Sequence, residues 1–444
     1  MRDQVKIKEK IRPFKNQIYV SSDKSISIRC VLLASIGLGR SRIFNLLDSE
    51  DVNNALNIIK KIGVNFKKKK NYVEIYGVGI NGFKIKKNTV LDAGNSGTLA
   101  RCIIGLCSAS NKKLKLIGDK SLSKRDFSRV IKPLKLFGMN IKSKKGMLPV
   151  DFQGSELIRP INFFEDKGSA QIKTCIILSA INTPGITKVK AVKSRNHTEV
   201  MLKNLNYPIK IDKKKKYDLI DIRGLCQYRG FDYIVPGDIS SASFFIVLTL
   251  LSKNSEIIIK NINVNPSRIG IISILNQMNA KIKIINKREY KGEKIGDIKV
   301  KSVSKFKPLN CKPHLNSSAI DEFLLIFLVA CKSNGISKFK NLDELNKKES
   351  PRLDIAIKFM KMIGIKVKRK NNDIEIYGNS HLQLDRKFHI KNFMKDHRIF
   401  MMSVIAALTF GGNMWVINDK DSINTSFPSF LKILRKLGAK ISEI

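Results

Sequence analysis

The sequence predicts a mixed α/β (α+β) chain of two similar domains in which buried helices are cased in sheet. Three observations lead there. A helix closing on an apolar residue and then Gly or Asn recurs six times, at Ile62-Gly63, Phe137-Gly138, Leu205-Asn206, Met278-Asn279, Ile363-Gly364 and Leu437-Gly438, at intervals of 68 to 85 positions. Six further runs, at 25–36, 96–109, 169–181, 240–251, 321–331 and 397–408, are apolar on nearly every side behind a small polar or charged opening. After five of the six Gly/Asn turns the chain reads strand, polar turn, strand, as at 64–76 and 365–377.

Each element has a physical cause. The residue just past a helix C-terminus commonly turns left-handed, which only Gly and Asn do cheaply. A helix that is greasy all round must be buried, so the six apolar runs form the interior while amphipathic helices and sheets wrap them. Three repeats before Pro236 and three after it divide the chain into 23–238 and a second domain of 1–22 with 239–444. Residues 18–21 read as a strand ahead of the first repeat, and Ile444 closes the last repeat without a trailing strand, so the N-terminal strand is expected to complete the C-terminal domain.

With 444 residues and 43% apolar content, the chain can build full cores. The net charge of +46 invites a nucleic-acid reading, but only 19 of the 83 basic residues are arginine, and the lysines travel with Ile and Asn. Runs such as 67–70 and 213–216 sit in polar turns, and no aromatic basic stripe or zinc-finger spacing accompanies them, so neither nucleic acid nor membrane is expected as a partner. Seven cysteines without C-x-x-C spacing, five of them inside apolar runs, read as reduced core residues. No signal core opens the chain and no run reaches transmembrane length, which points to the cytoplasm.

Chemistry concentrates at the polar openings of the buried helices. The stretch Leu91-Asp92-Ala93-Gly94-Asn95-Ser96-Gly97-Thr98, with Arg101 one turn in, breaks into a helix with bare N–H groups that attract an anion. Eight arginines, Arg29, Arg101, Arg125, Arg129, Arg195, Arg268, Arg352 and Arg398, fall in or beside such openings, where a planar fork can clamp carboxylate or phosphate. Carboxylates join them at Asp321-Glu322, Glu349 and Asp396 and would stay ionised amid so much positive charge, which suits a general base. For Asp396 a helix N-cap is the simpler role. His197 is open between a loop hydrogen-bonder and a catalyst; His314, His381 and His389 show no ligand spacing, and neither metal nor cofactor is expected. The residues therefore describe a cationic interdomain cleft for a small, multiply anionic ligand.

Laid side by side, the openings resemble the 5-enolpyruvylshikimate-3-phosphate synthase family over nearly the whole chain. The motifs stand in the family's order: Asp23-Lys24-Ser25-Ile26-Ser27-Ile28-Arg29, Gly94 to Thr98 with Arg101, Gly118 to Arg125, Ser169-Ala170-Gln171-Ile172-Lys173, SRNHTE from Ser194, VPGDISSASFF from Val235, Ile320-Asp321-Glu322, KKESPRL from Lys347, DHR from Asp396 and TSFP from Thr425. The resemblance implies the enolpyruvyl transferase fold, an inside-out α/β barrel of three βαβαββ-type repeats per domain, closing on its ligands like jaws. It implies transfer of the enolpyruvyl group of phosphoenolpyruvate to the 5-hydroxyl of shikimate 3-phosphate, with release of phosphate, by a monomer.

By position, the resemblance gives shikimate 3-phosphate to Lys24, Ser25, Arg29, Ser169, Ala170, Gln171, Ser194, Asp321 and Lys348. It gives phosphoenolpyruvate to Lys24, Gly97, Arg125, Gln171, Arg352 and Arg398. Asp321 is the candidate base for the attacking hydroxyl, and Lys24 and Glu349 are candidates for protonating the methylene carbon and later removing that proton. Gly97, bare of a side chain, leaves room for glyphosate. The chain departs from the family pattern at Ser21-Ser22 in place of Pro-Gly, at Ile28 in place of His or Asn, at Pro351 in place of Asp, and at Cys102 and Asp126 where Pro is frequent. The alternative within the fold is the UDP-N-acetylglucosamine enolpyruvyl transferase, whose expected Lys-Asn pair and reactive-cysteine loop are replaced here by Lys24-Ser25 and by a 101–129 segment without that loop. A basic nucleic-acid-binding protein or an inactive relative is the alternative outside catalysis.

Overall fold

The computed structural model describes residues 3–444. The chain forms two compact units, one of Ser22–Val235 with Tyr290–Glu293, the other of the residues up to Ser21 with Pro236–Glu289 and Lys294–Ile444.

The first unit holds helices α1 (Lys24–Ile36), α2 (Glu50–Lys61), α3 (Gly97–Leu106), α4 (Ser128–Leu136), α5 (Ala170–Ile181) and α6 (His197–Asn204). Every residue of α1 from Ile26 to Ile36 and of α5 from Ile172 to Ile181 is buried, as continuous apolar sequence demands. α2 instead buries Val52, Ala55, Leu56, Ile58 and Ile59, one face at helical spacing, and leaves its lysines in water. Gly105 lets α3 and α5 approach closely, since a Cβ there would lie 2.3 Å from the Cys175 carbonyl oxygen. Each fully buried Leu or Ile in this core is worth roughly 1.5–3 kcal/mol.

Three four-stranded sheets case these helices, and all three follow one pattern. In the sheet beside α3, Thr89–Asp92 pairs parallel with Leu114–Ile117, which pairs antiparallel with Met147–Gln153, and Asn140–Lys144 lies outermost. The sheet beside α5 repeats it with Asn162–Glu165, Ile186–Val192, Tyr217–Arg223 and Ile209–Lys213. In the sheet beside α1 the first strand, Asp232–Ile234, is borrowed from the far end of the segment and pairs parallel with Leu38–Phe44. The repeat is thus βαβαββ, with one strand supplied late.

The second unit contains α7 (Ile239–Leu251), α8 (Gly270–Gln277), a single turn α9 (Asn316–Ala319), α10 (Phe323–Cys331), α11 (Arg352–Met362), α12 (His397–Phe410) and α13 (Phe430–Lys436). α7, α10 and α12 are buried along almost their entire length. The six turn residues that close the amphipathic helices all have positive φ: 94° at Gly63, 104° at Gly138, 54° at Asn206, 72° at Asn279, 84° at Gly364 and 94° at Gly438.

Three expectations need correction, the first being that the last repeat does carry a trailing strand, Ser442–Glu443. The strand expected at 18–21 lies at Lys15–Ile18, pairing parallel with Glu256–Ile259, and a further strand, Gln4–Ile7, sits between Met414–Asn418 and Ser442–Glu443. Lys15, Asn16 and Gln17 are exposed, so no local alternation marks this edge strand. The buried helix expected from Asp321 begins at Phe323, because a bend after α9 leaves Asp321 and Glu322 in the turn ahead of it. Among the described residues no single helix is long and apolar enough to cross a membrane.

Candidate functional site

In the first unit the polar starts of α1, α3, α5 and α6 carry the candidate residues. Asp23 caps α1, accepting from Ile26 N at 2.9 Å, while Ser96 and Ser169 cap α3 and α5. Lys24, the first residue of α1, places Nζ 2.9 Å from Oδ2 of buried Asp51. Asp51 escaped the sequence reading because an acidic residue in the first turn of a helix is already explained by the helix dipole.

At the start of α3 two guanidinium groups flank a bare turn. A Cβ on Gly97 would lie 2.9 Å from Nη1 of both Arg101 and Arg125. Arg101 donates to Gln171 Oε1 at 2.7 Å and to the Asp126 carbonyl at 3.0 Å, and stacks 5.0 Å from the Phe127 ring centroid. Burial, with Arg125 and Arg129 nearby, pushes its pKa down to about 10. Arg125 donates to Asn95 Oδ1 at 2.8 Å, and Gln171 reaches on to Thr98 Oγ1 at 3.0 Å. Asp126, a departure from the family pattern, accepts from Ser128 N at 2.7 Å and so orders the turn into α4; Cys102 is fully buried in α3. Two guanidinium groups thus flank a helix start that carries no side chain, an arrangement suited to an anion.

Arg29 lies deeper. Its Nε and Nη2 donate to Thr198 Oγ1 at 2.8 Å and Thr174 Oγ1 at 3.0 Å, and Nη1 donates to the Ser25 carbonyl at 2.9 Å. Burial lowers its pKa, partly offset by neighbouring acidic groups that include Glu199 and Asp23. This arginine therefore ties the starts of α1, α5 and α6 together. His197, the first residue of α6, is fully buried with Nδ1 2.6 Å from Glu293 Oε1, an internal hydrogen bond of the kind the sequence left open. Ser194 and Arg195 precede it, and Ala170 opens α5 beside Ser169.

The second unit interleaves acids and bases. Asp321 has Lys348 Nζ at 3.5 Å, Arg352 Nη1 at 3.6 Å and Arg398 Nη2 at 3.9 Å, so three cations compensate one carboxylate. Arg352 is almost wholly buried and also pairs with Glu349 and with Asp396, whose Oδ2 accepts from Nε at 2.9 Å. Burial alone would lower the Arg352 pKa, yet Asp396 and Glu349 outweigh it and drive the value up. Burial likewise works to raise Asp396, and the Arg352 guanidinium overcomes it and holds the carboxyl below its ordinary range. Asp396 also caps α12, accepting from Arg398 N at 2.9 Å, so the structural and the electrostatic role coexist in one side chain.

Behind them the structure pairs groups that the sequence named only singly. Arg398 Nη1 donates to the Asp321 carbonyl at 2.9 Å and approaches buried Glu322, which accepts from Ser240 Oγ at 2.5 Å. Arg268 joins Ser240 to Asp238 with contacts of 2.9 and 3.1 Å. Pro351 immediately precedes the first residue of α11, where no backbone N–H is needed. Among the described residues no group of three or more His, Cys, Asp or Glu side chains is arranged to hold a metal ion.

A family model for EPSP synthase (3-phosphoshikimate 1-carboxyvinyltransferase) matches residues 8–434. The chain belongs to the EPSP synthase family. A 3-phosphoshikimate 1-carboxyvinyltransferase of Zymomonas mobilis is 34% identical over 439 residues, 98% of this chain and 96% of that protein. One of Ruthia magnifica is 37% identical over 426 residues, 96% of each. Among solved structures, EPSP synthase from Acinetobacter baumannii superposes with a TM-score of 0.84 at 31% identity, covering 99% of both chains. The enolpyruvyl transferase NikO from Streptomyces tendae, at 14% identity and a TM-score of 0.77 over 99% of this chain and 98% of that one, shares the fold. These matches establish the enolpyruvyl transferase architecture that the repeats and motifs imply.

Proposed function

We propose that the chain transfers the enolpyruvyl group of phosphoenolpyruvate to the 5-hydroxyl of shikimate 3-phosphate and releases inorganic phosphate, a step toward aromatic amino acids. The observation that carries it is the Asp321 carboxylate among Lys348, Arg352 and Arg398, a base set among the cations that two polyanionic substrates require. Asp321 takes the hydroxyl proton as the oxygen bonds to the central carbon of phosphoenolpyruvate, and a proton arrives at the methylene carbon from Lys24 or Glu349. The tetrahedral adduct then loses phosphate, and the same pair of groups removes the proton from the methyl carbon to restore the double bond. Ser25, Arg29, Ser169, Ala170, Gln171, Ser194 and Lys348 hold shikimate 3-phosphate; Gly97, Arg125, Gln171, Arg352 and Arg398 hold phosphoenolpyruvate. Fixed guanidinium groups stabilise the adduct's charge without reorganising during the reaction.

The enzyme acts as a cytoplasmic monomer in this reading. Seven free thiols, six of them buried, support a reducing compartment. The test is phosphate release on mixing both substrates with the full chain. Release is expected from the wild type and is lost on Lys24→Ala or Asp321→Ala, and none is expected when UDP-N-acetylglucosamine replaces shikimate 3-phosphate. A wild type that releases no phosphate from the first pair overturns the proposal.

A further inference from the structure

Three successive residues at the start of α6 are each locked by a partner far away in sequence. His197 meets Glu293 at 2.6 Å with neither side chain exposed, Thr198 meets Arg29 and Thr174 at 2.8 Å each, and Glu199 meets Lys173 at 2.6 Å. The first of these partners belongs to Tyr290–Glu293, four residues of a distant hairpin turn that cluster with this unit. The turn is seated firmly. Tyr290 Oη accepts from Ile234 N at 3.0 Å, Lys291 Nζ donates to the Asp232 carbonyl, and Gly292 takes a left-handed φ of 80° close to α6, where a Cβ would lie 3.0 Å from Val200 Cγ1.

We propose that Glu293 is a positioning residue for the shikimate 3-phosphate half-site, acting through His197 on Ser194 and Arg195; this rests on the function proposed above. The Nδ1–Oε1 contact fixes the plane of a ring that α6 carries on its first residue. The two residues of the ligand loop, two and three positions earlier, inherit their placement from that first turn. Ser194 Oγ is shielded from solvent and has no hydrogen-bond partner among the described residues, so its orientation is set by the backbone that His197 anchors.

The experiment measures calorimetric binding of shikimate 3-phosphate alone, and KM for each substrate, in the full-length wild type, Glu293→Ala and Glu293→Gln. Glu293→Ala is expected to bind shikimate 3-phosphate roughly tenfold more weakly, with KM for phosphoenolpyruvate within about twofold of wild type. Glu293→Gln keeps an oxygen acceptor and is expected to recover most of the loss. Should Glu293→Ala not fold, His197→Asn, too short to reach Glu293, carries the same expectation. A variant that melts lower yet binds shikimate 3-phosphate as tightly as wild type, that raises both KM values equally, or that Gln fails to rescue, overturns the proposal. A wild type that binds no shikimate 3-phosphate overturns the proposed function instead, and this inference with it.

Discussion

Gly97→Ala separates folding from binding. Gly97 is the first residue of α3 and its φ is not in the left-handed region, so alanine fits the backbone and favours the helix by up to about 1 kcal/mol. The new methyl carbon would stand 2.9 Å from Nη1 of Arg101 and of Arg125, where ordinary contact begins at 3.4 Å. Both guanidinium groups must withdraw by roughly half an ångström, enough to lengthen and weaken a charge-assisted hydrogen bond donated from Nη1. Such a bond contributes about 1.5–3 kcal/mol, so losing half of one or more raises KM for phosphoenolpyruvate by roughly tenfold. Glyphosate, competing for the same turn, weakens in parallel. Steady-state phosphate release at varied phosphoenolpyruvate, with shikimate 3-phosphate saturating, reads both effects. The thermal midpoint is expected to hold or rise. An unchanged KM for phosphoenolpyruvate would refute the assignment of this turn as the anion site.

Three further outcomes follow from the pairs described. Asp51→Asn keeps the shape but drops the charge beside Lys24, and kcat/KM for phosphoenolpyruvate is expected to fall roughly ten- to hundredfold in the same assay. The depressed pKa of Asp396 means its pairing with Arg352 stabilises the fold fully above the unfolded carboxyl value near 3.9 and loses that contribution as pH falls through the lower folded value; urea midpoints below about pH 4 should therefore fall faster for wild type than for Asp396→Asn. Lys173→Met strands the buried Glu199 carboxylate and is expected to cost about 3–5 kcal/mol in urea unfolding, with Lys173→Met/Glu199→Leu recovering most of it.

What the sequence made legible was local. Gly63 and Asn279 declare the ends of their helices because a left-handed turn admits few residues, and Ser96, Ser169 and Asp396 declare starts because caps work within three residues. What it hid was pairing at a distance. Gln4–Ile7 becomes a strand only beside Met414–Asn418, Asp51 looks like an ordinary acidic first turn until Lys24 is seen across from it, and Glu293 sits 96 positions from His197. Arg29 was legible as a conspicuous arginine, but its threonine partners were not, since hydroxyls carry no pattern of their own.

The charges in the two half-sites are arranged for different tasks. Asp51 stands against Lys24, Asp23 and Glu199 act on Arg29, and Arg101 and Arg125 together flank Gly97, an arrangement that suits holding phosphate and carboxylate groups. Around Lys348, Arg352 and Arg398 stand Asp321, Glu322, Glu349 and Asp396, so cations and carboxylates alternate. Alternation has a chemical use. A carboxylate intended as a base must not be neutralised by a proton, and one intended to accept and return a proton must not be locked by excess cation; alternating the signs satisfies both. It also explains why Arg352 is an arginine, since Nη1 faces Asp321, Nε faces Asp396 and Nη2 reaches both Glu349 and Asp396, a geometry that the single ammonium of lysine cannot reproduce.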